Sequence, residues 1–345
     1  PLAAPISRYW GSEGVVLEDV EMPELLPGGV LLKVESCGVS DLDIKVFSGA
    51  ETDGEGMIPG THFAGTVTAV SEGCSCYKAG DRLAVSRMWA CGSCHACEMG
   101  DQRFCMDMPG ELKGLPGGMA EYVSLSKDFL KHGWIVKIPD NVSCHEAAVA
   151  DVASAVYKCQ EQYGIGPGKR LLIIGSGPAG CMHTQIAKLR GADLIIQTDC
   201  FAGRLEMARP FRADCLVDSE KEDLSEIVTK ETRGKGIDIA VITSPDARVM
   251  EQVLPVMAHK GRIILFSRFE YQEALVDLAA VQHKEIQICG TEGYEKRHLT
   301  AVLDLASRRK LTLKWLVTKE AGLKEIDKAL EEIKSKKQLK VVIHP

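Results

Sequence analysis

Four cysteines stand within 15 residues, Cys91, Cys94, Cys97 and Cys105, in the pattern C-x2-C-x2-C-x7-C. Thiolates this close together can surround one tetrahedral zinc ion, and a closed all-sulfur shell leaves no position for a substrate. The site is therefore read as structural. His95 lies inside this lobe, where it is surplus as a ligand and expected at the surface. The second chemical feature is the run Gly175-Ser176-Gly177-Pro178-Ala179-Gly180, which follows an apolar segment and opens a helical one. In that setting Gly175 permits a tight turn, Gly177 lets a pyrophosphate approach the backbone, and Gly180 lets the helix pack closely on the sheet. The helix N-terminus adds N–H groups and the positive end of a dipole. Asp199 follows Gly180 by 19 residues and ends the next apolar run. A carboxylate there accepts hydrogen bonds from a ribose diol and repels a 2′-phosphate, which favours NAD(H) over NADP(H). Pro178, Ala179 and Arg204 complete the cofactor-binding candidates.

These groups need elements to hold them. The first ~145 residues carry short β-like runs, Val30–Val34, Ala64–Val70 and Arg82–Val85, bounded by turns such as Pro27-Gly28-Gly29 and Gly80-Asp81. The pattern changes near Ser143, which has Glu146 three residues on, a capping-box spacing. An Ala-rich helical segment runs to about Tyr163. Strands at Arg170–Ile174, Leu194–Asp199, Ile237–Thr243, Arg262–Ser267 and Ile286–Gly290 then alternate with helices at Gly180–Arg190 and from Gly203. Continuous apolar runs separated by helices predict a parallel sheet covered on both faces. Two helical stretches, Glu295–Arg308 and Leu323–Ser335, and a last strand, Leu339–Ile343, follow. The expectation is an α/β protein. A mostly β domain over residues 1–145 is completed by 291–345, and a doubly wound dinucleotide-binding domain spans 146–290.

Composition narrows the function classes. The chain has 345 residues, 45% hydrophobic and 26% charged, with a net charge of −7 spread along it. No basic block argues for nucleic acid, and no apolar run approaches the ~18–20 residues of a membrane span. Pro1-Leu2-Ala3-Ala4-Pro5 lacks the features of a secretion signal, so a cytoplasmic location is expected. Thirteen cysteines, an odd number in a long chain, are not a disulfide framework.

The cysteine lobe and the glycine loop, in this order and separation, resemble the zinc-containing medium-chain dehydrogenase/reductase family of alcohol and polyol dehydrogenases. The resemblance covers essentially the whole chain. Further matches are Cys37-Gly38-Val39, Asp43 with Gly49, Pro59-Gly60, Phe63-Ala64-Gly65, Gly80-Asp81-Arg82, Gly117 through Val123, and Lys260-Gly261-Arg262. The resemblance implies a GroES-like domain carrying the catalytic site, a Rossmann domain, a small-molecule substrate, and a homodimer or homotetramer.

The catalytic centre departs from the family pattern. An ungapped alignment on Cys37-Gly38-Val39 and Asp43 puts Ser40 where the family has a zinc-binding cysteine. It puts Leu42 at the relay hydroxyl and Lys45 at the relay histidine. Gly60-Thr61-His62 stands where the family has Gly-His-Glu, and Asp151 aligns with the remaining ligand. A loop shift with a two-residue deletion would make Cys37 a ligand instead; the ungapped register keeps the Asp43–Gly49 spacing and is preferred. Three readings follow. The first is an NAD(H)-dependent oxidoreductase without a catalytic zinc, passing hydride to or from a carbonyl or alcohol, an iminium, or an activated C=C. In it Ser40, Thr61 and His62 act as hydrogen-bond donors to developing charge, Lys45 is an alternative proton relay, His62 is the acid–base group, and Asp151 orients it. The second is a zinc alcohol or polyol dehydrogenase using His62 and Asp151 as ligands, with Cys37 or Ser40 and water. The third is an NAD-binding protein without catalysis.

Overall fold

The computed structural model describes residues 3–9, 15–47, 58–107, 117–269 and 272–345; Pro1, Leu2 and Gly49, which entered the readings above, lie outside them. The protein is α/β and divides into two compact units, Pro1–Ser154 with Tyr294–Pro345, and Ala155–Gly293. The division falls inside the helix Ala150–Gln162. It lies nine residues past the expected 145/146 boundary (154 − 145), and the second division three past 290/291 (293 − 290); Asp151, in the first turn of that helix, pairs with Lys340 of the first unit.

In the first unit, strands β1 (Ala3–Tyr9) and β2 (Val15–Glu21) form an antiparallel ribbon. The main sheet is built from β3 (Val30–Gly38), β4 (His62–Val70), β5 (Arg82–Trp89), β6 (Tyr122–Leu125), β7 (Gly133–Lys137), and two late strands, β14 (Val317–Gly322) and β15 (Lys340–His344). Its order is β14-β15-β3-β4-β5-β7, with β6 pairing the other end of the β3 edge that β15 uses. β3 alternates buried and exposed residues in its middle, so Val30, Leu32 and Val34 enter the core with Phe63, Val67, Leu83 and Val85. The pairing of Ile343 with Cys37 and Val342 with Gly38 brings the end of the chain to the strand end that leads into Ser40.

The second unit holds six strands, β8 (Arg170–Ile174), β9 (Leu194–Asp199), β10 (Cys215–Asp218), β11 (Ile237–Ile242), β12 (Met257–Leu265) and β13 (Gln287–Gly290). All neighbours are parallel and the order is β10-β9-β8-β11-β12-β13, the doubly wound arrangement of a dinucleotide-binding domain. Leu171, Ile173 and Ile195 enter one core, and Leu172, Ile174 and Ile196 enter the other. Burial on both faces is why these strands read as unbroken apolar runs. β10 and β14 were not anticipated, since Cys215–Asp218 and Val317–Gly322 are short and half-exposed. Among the described residues no helix is long and apolar enough to cross a membrane.

Candidate functional site

The glycine loop leaves β8 and enters the helix Pro178–Leu189 with Gly177 as N-cap and Pro178 in the first turn. Gly175 has φ +109°, a conformation that side chains disfavour. A Cβ on Gly180 would collide with the carbonyl oxygen of Gly175, so only glycine lets the helix begin this close to the strand. A Cβ on Gly177 would meet only the Arg204 guanidinium, at 3.5 Å, which leaves the loop face open beside a cation. Asp199 at the end of β9 accepts from Ser176 N–H at 2.7 Å and Phe201 N–H at 2.9 Å. Each of its oxygens keeps a second lone pair, which is what a ribose diol requires. The residues present therefore fit a dinucleotide.

The cysteine lobe has the spacing of a tetrahedral thiolate cage. Cys91 and Cys97 Sγ are 3.9 Å apart, Cys94 and Cys97 3.6 Å, and Cys94 and Cys105 3.9 Å. Four sulfurs at ~2.3 Å from a zinc ion stand about 3.8 Å from one another. Backbone N–H groups of Ser93 and Cys94 point at Cys91 Sγ, and that of Cys91 at Cys105 Sγ, so the backbone is shaped to receive anionic sulfur. Backbone N–H groups pull the Cys94 thiol down to about 6. His95 is exposed, as its redundancy led us to expect.

The polar cluster of the first unit is assembled from distant segments. The Ser40 N–H and hydroxyl both donate to Asp43 Oδ2, at 2.8 and 2.7 Å, and Gly60 N–H donates to Asp43 Oδ1 at 2.9 Å. The Thr61 hydroxyl donates to Ser40 Oγ at 2.8 Å. An ionised carboxylate only accepts, so both hydroxyl protons run inward toward Asp43. In this arrangement the Ser40 and Thr61 hydroxyls, expected as donors to a reacting group, both donate inward. Thr61 Oγ1 instead presents lone pairs to an incoming donor. His62 follows at the start of β4, with Nε2 3.5 Å from Asp151 Oδ2 and Nδ1 3.4 Å from the Tyr294 hydroxyl. Tyr294 donates to Ser86 Oγ at 3.0 Å. Lys340 Nζ is 3.3 Å from Asp151 Oδ2 and donates to the Val39 carbonyl at 3.1 Å. Lys45 stands half-buried in the last turn of the helix Asp41–Phe47.

Electrostatics divides these groups. Burial pulls His62 below its ordinary value and Lys340 adds to this, while Asp151 opposes it. The imidazole is therefore neutral at pH 7. Burial by itself would raise the Asp151 carboxyl, but Lys340 and His62 outweigh it and the net shift is downward. Burial pushes the Cys37 thiol well up, with Asp43 adding to it, so it stays a protonated core residue of β3. Burial also brings the Arg87 guanidinium down to about 10, against Asp43 and Cys37.

Sequence reasoning named Ser40, Thr61, His62 and Asp151, and the structure joins Ser40 to Thr61 and His62 to Asp151. It missed Lys340, Tyr294 and the organising role of Asp43. Lys340 had a visible signal: a lysine inside the apolar run Leu339–Ile343 must find a partner when buried. Tyr294 and Ser86 had none, because their contact links residues 208 positions apart.

The alcohol dehydrogenase GroES-like domain matches residues 26–140, and the zinc-binding dehydrogenase domain matches residues 178–308. Sorbitol dehydrogenase of Halalkalibacterium halodurans is 28% identical over 94% of both chains. L-threonine 3-dehydrogenase of Idiomarina loihiensis is 26% identical over 98% of both. The crystal structure of 2R,3R-butanediol dehydrogenase from Bacillus subtilis superposes with a TM-score of 0.86 at 25% identity, covering 99% of this chain and 100% of that one. The chain belongs to the medium-chain dehydrogenase/reductase family, and it is an oxidoreductase of the alcohol and polyol dehydrogenase type.

Proposed function

We propose that this protein is an NAD(H)-dependent oxidoreductase that interconverts a small polar alcohol and its carbonyl without a catalytic zinc, and that its one zinc is the structural ion of the cysteine lobe. The observation that carries this is the chain Thr61→Ser40→Asp43. The positions aligned with a zinc-binding cysteine and histidine hold two neutral hydroxyls bonded to each other. Asp151 is already paired with an ammonium group, and among the described residues no third His, Cys, Asp or Glu joins His62 and Asp151. This donor set does not fit a catalytic zinc, which needs about three ionised or imidazole ligands and an open position.

NAD(H), held by the Gly175–Gly180 loop, Asp199 and Arg204, supplies or accepts the hydride. The chain's own groups handle orientation and the proton. Thr61 Oγ1 accepts from a neighbouring hydroxyl of the polar substrate rather than the reacting one, and the Ser40–Asp43 arm behind it fixes its direction. Neutral His62 takes the proton on oxidation and returns it on reduction, and the adjacent Asp151 carboxylate stabilises the imidazolium that forms. Lys340 holds Asp151 ionised so that it can do this. The resemblance and the exposed edge strand β13 support a homodimer or homotetramer.

Metal analysis of catalytically active protein tests the reading. One zinc per chain, with NADH-linked turnover unaffected by a mild chelator, is the expected result. Turnover lost with a second ion, or a second ion whose binding is lost with His62→Gln, would overturn it. Tighter binding of NADPH than NADH would overturn the assignment of Asp199.

A further inference from the structure

Away from these sites, His145, Glu320 and His344 form a second cluster in the first unit, and their three ligand atoms lie within 4.8 Å of one another. Three elements deliver them. Glu320 lies on β14 opposite Val342, so Glu320 and His344 are diagonal neighbours on adjacent parallel strands. His145 comes from the helix Cys144–Ala147, whose N-terminus is held by the Ser143–Glu146 capping box.

The hydrogen bonding of His344 shows what the cluster lacks. Nδ1 is 2.8 Å from the Glu35 carbonyl oxygen, and Nε2 is 2.9 Å from Glu320 Oε2. A carbonyl can only accept, so Nδ1 carries the hydrogen and the Nε2 lone pair points at a carboxylate lone pair. Two lone pairs at that distance need a shared positive centre. His145 offers Nδ1 to the same oxygen at 3.8 Å, and its ring stacks on His344 at 6.0 Å and 15°. Ligand atoms around a four-coordinate zinc with bonds of ~2.0–2.1 Å stand about 3.3–3.4 Å apart. The observed 2.9 and 3.8 Å lie on either side of that spacing. A histidine whose Nδ1–H is tied to a backbone carbonyl is also oriented in the way metal-bound histidines are.

We propose that His145, Glu320 and His344 bind a borderline divalent cation of the zinc or nickel type, leaving at least one coordination position to water. Imidazole and carboxylate donors suit these ions better than calcium or magnesium. The bound ion ties β15, which carries Lys340, to β14 and to the helix Cys144–Ala147 just before Asp151. The proposal does not depend on the assignment of the hydride site.

The test is a calorimetric titration with Ni2+ alone of the protein after a mild chelator has stripped weakly held metal and left the cysteine-lobe zinc in place. One further equivalent per chain is expected, with a rise in unfolding temperature. His344→Ala and His145→Ala should each lose that equivalent and the rise. Glu320→Gln, at a residue whose side chain is 60% exposed, should lose it as well. His62→Gln should keep it. Absence of any added equivalent means that a proton alone satisfies the cluster and overturns the proposal. So does an equivalent that survives all three substitutions, or one that disappears with His62→Gln.

Discussion

The dinucleotide loop of the second unit and the polar cluster of the first differ in how much chain each requires. The loop is one strand, one turn and one helix, closed by Asp199 from the neighbouring strand. Its geometry is a matter of backbone shape, set by Gly175 and Gly180 and fixed by two hydrogen bonds to one carboxylate. The cluster draws on residues 40, 43, 60–62, 86, 151, 294 and 340, and its geometry is a matter of charge and proton direction. A local device is sensitive to added volume. A device assembled from distant segments is sensitive to the removal of a partner, because the remaining charge stays buried.

That contrast can be broken by substitution. The largest effect should come from Lys340→Met, which strands the buried Asp151 carboxylate and should destabilise the protein by about 3–5 kcal/mol. A denaturant midpoint series reads this, and adding Asp151→Asn should recover much of the loss. A cost below ~1 kcal/mol would mean that the pair is not buried in solution. Gly180→Ala comes next. The new methyl group must push the helix off the Gly175 carbonyl, near the upper end of the ~1–3 kcal/mol typical of overpacking. NADH fluorescence should show weakened binding, while the zinc content of the cysteine lobe stays unchanged.

His62→Gln sharpens the comparison from the other side. Loss of the proposed acid–base group should lower kcat/KM by about 100-fold and leave NADH affinity within about twofold of the parent. If affinity and turnover fell together, the two regions would not be separable. The smallest effect is in pH dependence. A histidine held below its unfolded value near ~6.5 contributes stability at higher pH that is lost on acidification, because the unfolded chain binds the proton first. That loss sets in as the pH falls through the unfolded value and grows toward the folded one. Thermal unfolding of His62→Gln between pH 7.5 and 5.5 should show a shallower slope than the parent; identical slopes would remove the neutral-imidazole assignment.

The two regions also differ in how far they could be read in advance. Arg170–Ile174 and Leu194–Asp199 were found with the observed ends because both faces of that sheet are buried and the apolar run stops where burial stops. The ends of β12 and the existence of β10 and β14 were not, since those segments are polar or half-exposed and owe their conformation to pairing. In the site, alignment of types and spacing reached Ser40, Thr61, His62 and Asp151. It could not show that both hydroxyls turn inward, because that depends on Asp43 receiving Ser40 and Gly60 together.

The amino-acid sequence by itself determined the glycine loop, the carboxylate that closes it and the four-thiol cage. Each lies within a stretch short enough that spacing along the chain dictates distance in space. Only the tertiary structure decided that the Thr61 proton turns inward, that His62 meets Asp151 and Tyr294, that Lys340 holds Asp151, and that His145, Glu320 and His344 meet. Those contacts join segments separated by as many as 301 residues in the polar cluster and fixed by strand pairing in the other. Their energetics depend on burial, which is a property of the folded molecule rather than of any local run of residues.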